Sequence, residues 1–457
     1  MKKHYFHAAS VLFLFVLIAS CRKESVNNNQ STNFGSSRAT RSYSSDQVRN
    51  YFTLMCTITK NTKGFFPTQA ARAYGYVGIA AYEAVVNGIP GALSLSGQLN
   101  GISGVPKPAA NVEYNWAISS NAAIADMMRD MFDVNLTAAN RATIDSTETA
   151  NLAALSAGVS ADVVNRSVQY GKAVTAAIYQ SSKSDGAHQS YLDPFQLPYT
   201  LPAVPYCWEP TSASAPNPVS PKWGSNRPFI AANVSNTNPV APTTYSTDPN
   251  SNFYKLALDV YHQVKNNTAD QVAIVKYWAD DPFNTCTPAG HTFNIMNQLL
   301  KENNATLEKA SVAYAKLSIA ENDAFISCWK GKYQYVLIRP VTYIQKNIDA
   351  NFKTVIGTPP FPAYTSGHSY ESGAGTMIFS ALFTDGSGKY DFTDYSQVQY
   401  GYSARHYANF NDMAQECADS RFYGGIHYNP DNTEGLRLGR IIGDNVNKML
   451  VWPTNIK

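Results

Sequence analysis

Charge is scarce in this 457-residue chain: Asp, Glu, Lys and Arg together make up 15% of it, where about 25% is ordinary for a soluble domain. The two signs nearly cancel, leaving a net charge of +3. No basic surplus exists to neutralise a polyanion, so nucleic acid is not an expected partner. Disorder does not follow from the low charge, because 44% of residues are hydrophobic and can fill a large core. Cysteine is sparse as well. Cys56, Cys207, Cys286, Cys328 and Cys417 are scattered behind Cys21 with no CxxC pair, which argues against a disulfide scaffold or a zinc site. Membrane-spanning runs are missing: the apolar stretch Val11–Ile18 is too short to cross a bilayer. Nor does any segment recur at a fixed period.

The N-terminus reads as an export signal. MKKHYFHAASVLFLFVLIASC has a basic start, a short apolar run, then Ala19 and Ser20 before Cys21. Ile18-Ala19-Ser20-Cys21 resembles a bacterial lipobox, which implies cleavage after residue 20 and acylation of Cys21. The expected location is the cell envelope, tied to a membrane through this lipid, on the periplasmic or surface side of the outer membrane. Residues 21–45 are polar and Asn/Ser-rich, suited to a flexible tether.

Residues 46–457 read as one mainly α-helical domain, a large bundle with long Pro- and aromatic-rich loops. Apolar residues recur at helical spacing over 68–87, 111–134 and 136–183, with Asn135 or Thr137 as the cap between the last two. Proline, Trp and Tyr dominate 184–250, an irregular excursion placed to roof a site. Helical texture returns at 251–280, 288–301, 305–330, about 367–383, 408–422 and 431–449. The halves are thus 46–183 and a catalytic 251–457. Strand signals are weak, with 397–402 a minor candidate.

Three short stretches carry the chemistry. In KYQYVLIRP (332–340), Lys332 and Arg339 are seven apart, two turns along one helix face, with Pro340 ending or kinking the helix. Like charges so placed need water or an anion between them. Ser366-Gly367-His368 follows a proline-rich run and opens a helix. A helix start presents free N–H groups and a positive dipole end. Gly367 permits close backbone approach, Ser366 adds a hydroxyl, and His368 is an acid or base near neutral pH. SRFYGGIHYNPD (420–431) adds Arg421, His427 and Asp431, with Gly424 and Gly425 allowing a tight turn between them. An Asp beside His427 would fix its tautomer. Together these residues could surround a tetrahedral oxyanion, with one imidazole left to attack or coordinate the central atom. About ten specified positions, each matched by chance roughly one time in twenty, make coincidence improbable.

The ordered set K-x6-RP, SGH and SR-x5-H-x3-D resembles the signature shared by vanadium-dependent haloperoxidases and type 2 phosphatidic acid phosphatases. FPAY before the SGH, and DAFISCWKGKYQY at 323–335, resemble the haloperoxidase branch. The resemblance implies a cofactor, vanadate. Lys332, Arg339 and Arg421 would hold its equatorial oxygens, Ser366 and the Gly367 N–H would add hydrogen bonds, His368 would be the acid-base residue and His427 the vanadium ligand. KYWADDPFNTCTP (276–288) resembles the family segment whose Asp pairs with the second arginine, here Asp281. Hydrogen peroxide and a halide, iodide or bromide before chloride, would be the substrates and hypohalous acid the product. Two departures stand out: Thr365 replaces the usual Pro, and Phe361 stands where some bromide-oxidising relatives have His. Asp431 is equally the phosphatase pattern, so a periplasmic acid phosphatase cleaving phosphate esters through a phospho-His427 is the alternative. A lipoprotein that binds an oxyanion without turnover is a third reading. His291 is read as structural or at the rim, and Glu371 and Asp419, which flank the motifs, as at most outer neighbours of the site residues.

Overall fold

The computed structural model describes residues 37–454 and 456. The leader and Cys21 lie outside the described residues. Fourteen helices follow in order: α1 (Asp46–Asn61), α2 (Pro67–Glu83), α3 (Trp116–Phe132), α4 (Ala138–Leu155), α5 (Ala161–Ser182), α6 (Ala232–Ser235), α7 (Asn252–Asn266), α8 (Ala269–Tyr277), α9 (Thr287–Glu302), α10 (Leu307–Tyr335), α11 (Pro340–Asn347), α12 (Gly367–Phe383), α13 (Phe410–Tyr423) and α14 (Asn429–Met449). The helical bundle expected from the periodicity is what forms. Among the described residues, no helix is long and apolar enough to cross a membrane.

Capping sets most of the boundaries. Thr137, not Asn135, starts α4, its hydroxyl accepting from the Asn140 amide. Ser160, Ser251, Thr268 and Thr306 cap α5, α7, α8 and α10 in the same way. Two of these caps divide segments that periodicity reads as continuous: 136–183 breaks into α4 and α5, and 251–280 into α7 and α8. Periodicity alone cannot register such a break, because a single capped turn leaves the apolar spacing nearly intact.

Helix α10 is the axis of the molecule. Every residue from 310 to 329 is buried, and the helix packs on α2, α12, α14 and α9. It is rich in Ala and Ser, which lets neighbours approach on all sides. One continuous apolar core draws on residues from Val48 in α1 to Leu450 beyond α14. The tightest helix pair is α12 with α14. A Cβ on Gly439 would collide with the Tyr370 carbonyl oxygen, and one on Gly435 would lie 2.8 Å from both the Ser366 oxygen and the Ser369 Cβ. Glycine at these positions lets the start of α14 press against the start of α12.

Three expectations need correction. The strand candidate 397–402 is a 3-10 turn over Val398–Tyr400. The only strands among the described residues flank it: β1 (Phe392–Asp394) and β2 (Arg405–Tyr407), antiparallel with Thr393 opposite His406. The end of the proposed tether is not loose: Thr40 is buried, and the Ser45 amide bonds to the Ala305 oxygen while the Leu307 amide bonds to the Tyr43 oxygen. Finally, Lys332 and Arg339 do not share a helix. Val336 takes a left-handed conformation (φ 46°) and ends α10, and Arg339 is extended at the N-cap of α11, with Pro340 in the first turn.

Candidate functional site: a buried cluster of cations

The excursion of 184–250 covers one end of α10. The Trp208 amide bonds to the Val336 oxygen and the Ile338 amide to the Tyr206 oxygen, while the Val219 amide bonds to the Pro360 oxygen. The indole of Trp329 and the hydroxyl of Tyr333 both donate to the Val219 carbonyl. These bonds press the link between α10 and α11 against the proline-rich segment before α12. The Ala363 amide completes the arrangement by bonding to the Leu337 oxygen.

Lys332 lies in the last turn of α10 and is fully buried. Its ammonium donates to the carbonyls of Pro362 (2.9 Å), Ala363 (3.0 Å) and Thr365. All three of its N–H bonds are thereby used on backbone oxygens. Burial lowers its pKa to about 7, with Arg339 pushing the same way and Cys328 and Asp431 opposing.

Arg339 is also fully buried. Its Nε donates to the Phe361 carbonyl at 2.8 Å and its Nη1 to the Ile426 carbonyl at 2.8 Å. The same Nη1 lies 3.1 Å from Nε2 of His427. Nη2 is buried without a partner. Burial brings this guanidinium down to about 10. The Phe361 ring lies 5.1 Å from the Lys332 ammonium and 5.1 Å from the Arg339 guanidinium, close enough for cation–π attraction to both.

Ser366 is the N-cap residue of α12, and Gly367 and His368 open the helix. The Ser366 amide bonds to the Asp431 oxygen at 3.0 Å, so the N-terminal turns of α12 and α14 are joined through the backbone. His368 accepts nothing at Nε2, which is buried and unpartnered. The Trp278 carbonyl takes the bond from the other side of the ring, yet burial and then the charge of Arg421 keep the imidazole well below its ordinary range.

Arg421 is in the last turn of α13, fully buried. It donates through Nε to the Ser420 hydroxyl at 2.9 Å and through Nη2 to the Trp278 carbonyl. The expected pairing with Asp281 is not made: no ion pair within 4 Å joins them among the described residues, and burial raises the pKa of the half-buried Asp281 carboxyl, with the charge of Arg421 opposing only in part. The neighbouring Asp280 faces elsewhere. It lies 2.8 Å from Nδ1 of His291, whose Nε2 lies 3.3 Å from Asp394 and whose ring stacks on Trp278 at 4.5 Å. His291 is therefore structural, one of the two readings of it. Burial disfavours its charge, but Asp280 and Asp394 outweigh this and push it up to about 10. The adjacent pair Asp280-Asp281 offered no sequence signal for which carboxylate would turn inward.

His427 lies in the link to α14, just past the left-handed Gly425 (φ 78°). Its Nδ1 lies 2.9 Å from Asp431, whose carboxylate also accepts from the Tyr428 amide. With Nδ1–H donated to Asp431, Nε2 carries the lone pair, which here accepts from Arg339 Nη1. Burial first, then the charges of Arg339, Lys332 and Arg421, hold this imidazole neutral.

Lys332, Arg339 and Arg421 thus share one buried region with two neutral imidazoles, and among the described residues none of the three has an ion-pair partner within 4 Å. Three fully buried cations in that state are costly unless an anion joins them. An unpartnered Arg339 N–H and an unpartnered His368 nitrogen supply directional partners. This donor set suits a tetrahedral oxyanion such as vanadate.

Similarity to known proteins agrees with that chemistry. A family model described as the VCPO second helical-bundle domain matches residues 345–452, the part that includes Ser366 to Asp431. No curated protein matches the sequence at a significant level. Among solved structures, a bacterial vanadium-dependent iodoperoxidase is 30% identical, with a TM-score of 0.82 over 91% of this chain and 98% of the other. A bacterial vanadium-dependent chloroperoxidase in its holo form shares the fold at 16% identity, with a TM-score of 0.67 over 86% and 93% of the two chains. Its apo form gives a TM-score of 0.63. On the strength of the first of these, which spans nearly the whole of both molecules, the chain belongs to the vanadium-dependent haloperoxidases, enzymes that act on peroxide.

Proposed function

We propose that this enzyme oxidises iodide or bromide in preference to chloride, producing hypohalous acid from hydrogen peroxide, with vanadate held by Lys332, Arg339, Ser366, Gly367, Arg421 and His427. The observation that carries this reading is the group of buried cations with no ion-pair partner within 4 Å among the described residues. Iodide is the easiest of the three halides to oxidise, and the 30% identical relative is described as an iodoperoxidase. Bound vanadate would supply Lewis-acid activation of peroxide with no change of oxidation state.

The chain's own groups divide the remaining work. Asp431 holds the proton on Nδ1 of His427 and leaves Nε2 as the ligand atom. Arg339 has an unpartnered Nη2 N–H that would be available to the anion, and Arg421 would contribute charge from the end of α13. Lys332 acts mainly through its charge and by shaping the 362–365 segment, since its own N–H bonds are occupied. His368 is neutral, with Nε2 available, so it can accept a proton from hydrogen peroxide at that atom. Phe361 and Trp329, with ring centroids 5.0 Å apart, shield the cations from water.

The test uses protein stripped of metal and reloaded with orthovanadate, assayed with peroxide and each halide, and separately with a phosphate ester. Vanadate-dependent iodide or bromide oxidation supports the reading. Ester cleavage that vanadate inhibits, with no halide oxidation, would replace it with the acid phosphatase. We further propose attachment to the cell envelope through a lipid on Cys21. Failure of labelled fatty acid to enter the protein, or its entry into Cys21→Ala, would refute this.

A further inference from the structure

We propose that Ser369 is a positioning residue that turns the Ser366 hydroxyl into a committed donor to the oxyanion. The proposal rests on the reading of Ser366 given above. Ser366 stands at an N-cap, where a serine oxygen ordinarily accepts from the backbone one turn on. Here it makes no such bond. Its oxygen instead accepts from the Ser369 hydroxyl at 3.0 Å. Ser369 has a single proton, and the competing acceptor, Asn432 Oδ1, is farther at 3.4 Å.

A hydroxyl has one proton and two lone pairs. With one lone pair already engaged by Ser369, the Ser366 proton is left to point elsewhere, and an O–H that accepts a bond is a stronger donor in turn. Ser366, Ser369 and Asn432 are all buried, so water does not compete. The arrangement is held from both helices. Ser369 is in the first turn of α12, and Asn432 is in the first turn of α14 beside Asp431, which bonds to His427. Gly435 lets these two turns approach, because a side chain there would meet Ser369. The same contact therefore links Ser366 to the turn that carries Asp431, the partner of His427.

Orthovanadate affinity, measured by calorimetry on the stripped full-length protein, tests this. Ser369→Ala and Ser369→Cys should each weaken binding about 10-fold, as loss of an outer partner of a ligand does. The cysteine variant fills the space left by Ala, with a somewhat larger atom, but is a poor donor, so restored affinity in Ser369→Cys would show a packing role and overturn the proposal. Ser366→Ala should weaken binding similarly, and the double variant Ser366→Ala/Ser369→Ala should be no worse than Ser366→Ala alone. Effects that multiply in the double variant would overturn the proposal. So would wild-type affinity in both Ser369 variants while Ser366→Ala is impaired. If Ser366→Ala binds normally, or the wild type binds no orthovanadate, the underlying reading of the site falls and this inference with it.

Discussion

The two nitrogens of His427 face opposite kinds of partner: Nδ1 meets the Asp431 carboxylate at 2.9 Å, and Nε2 meets the Arg339 guanidinium at 3.1 Å. The ring is a hinge between an acid that fixes its proton and a cation that lies with it in the site. Substituting Asp431 by Asn places an N–H where an acceptor is needed and favours the wrong tautomer. Orthovanadate affinity should fall about 10- to 100-fold, read by calorimetry, with little change at His368. Unaltered affinity would show that the tautomer is set by something other than Asp431.

Lys332 should matter to the fold as much as to the chemistry. Lys332→Met removes the donor for three backbone oxygens at 362, 363 and 365. Each buried acceptor left unpaired costs about 1–3 kcal/mol. Relief of a buried positive charge offsets part of this, so a loss of a few kcal/mol is expected in urea unfolding. Peroxidase activity should fall together with stability. A variant as stable as the wild type would mean that the 362–365 segment is held by other bonds.

His291 gives the fold an alkaline limit. Its pKa is raised from the ordinary 6.5 to about 10 by Asp280 and Asp394, against the effect of burial. A histidine so raised binds its proton more tightly in the folded than in the unfolded chain. Its contribution is complete below about 6.5 and drains away as pH rises from there toward about 10. His291→Gln should cost about 3–5 kcal/mol near neutrality, because two buried carboxylates lose their cation. The gap between variant and wild type should narrow at pH 10. A gap that stays constant with pH would rule out a charged His291.

The close approach of α12 and α14 predicts a strong effect from one methyl group. In Gly439→Ala the new Cβ meets the Tyr370 carbonyl, a backbone atom that cannot rotate aside. Destabilisation of about 1–3 kcal/mol is expected from overpacking, with weaker orthovanadate binding, since the same contact aligns Ser366 with Asp431. Thermal melts and calorimetry would read both.

Phe361→Ala should open the site to water. The ring lies over both Lys332 and Arg339 at 5.1 Å. Its loss forfeits about 0.5–2 kcal/mol of cation–π attraction and hydrates the cations. A several-fold rise in the orthovanadate dissociation constant should follow, steeper at high salt than for the wild type.

Much of the site was legible before any coordinates. Ser366-Gly367-His368 behind a proline-rich run announces a helix start, and α12 begins at Gly367. His427 and Asp431, four apart, could meet locally, and they do. What failed was of a different kind. A seven-residue spacing placed Lys332 and Arg339 on one helix face, but Val336 ends the helix between them because Leu337 and Ile338 pair with 206–208 and 363, segments remote in the chain. Asp281 was preferred over Asp280 by position in a motif. Which carboxylate turns toward His291 depends on β1, which carries Asp394, and on the stacking of Trp278. The helix α1 was passed over although Val48, Tyr51, Phe52, Met55 and Cys56 recur at helical spacing and are the face it buries, against α9 and α3 among others.

Sequence by itself determined the helical class, most helix starts and the roster of cations and imidazoles, because capping, proline and glycine preferences act within a few residues. Tertiary structure alone decided that Lys332 spends its protons on carbonyls, that Arg339 keeps one N–H free and that Asn432 stands beside Ser369. Those outcomes depend on which polar groups share a water-free interior, and burial brings together groups that lie tens to hundreds of residues apart along the chain.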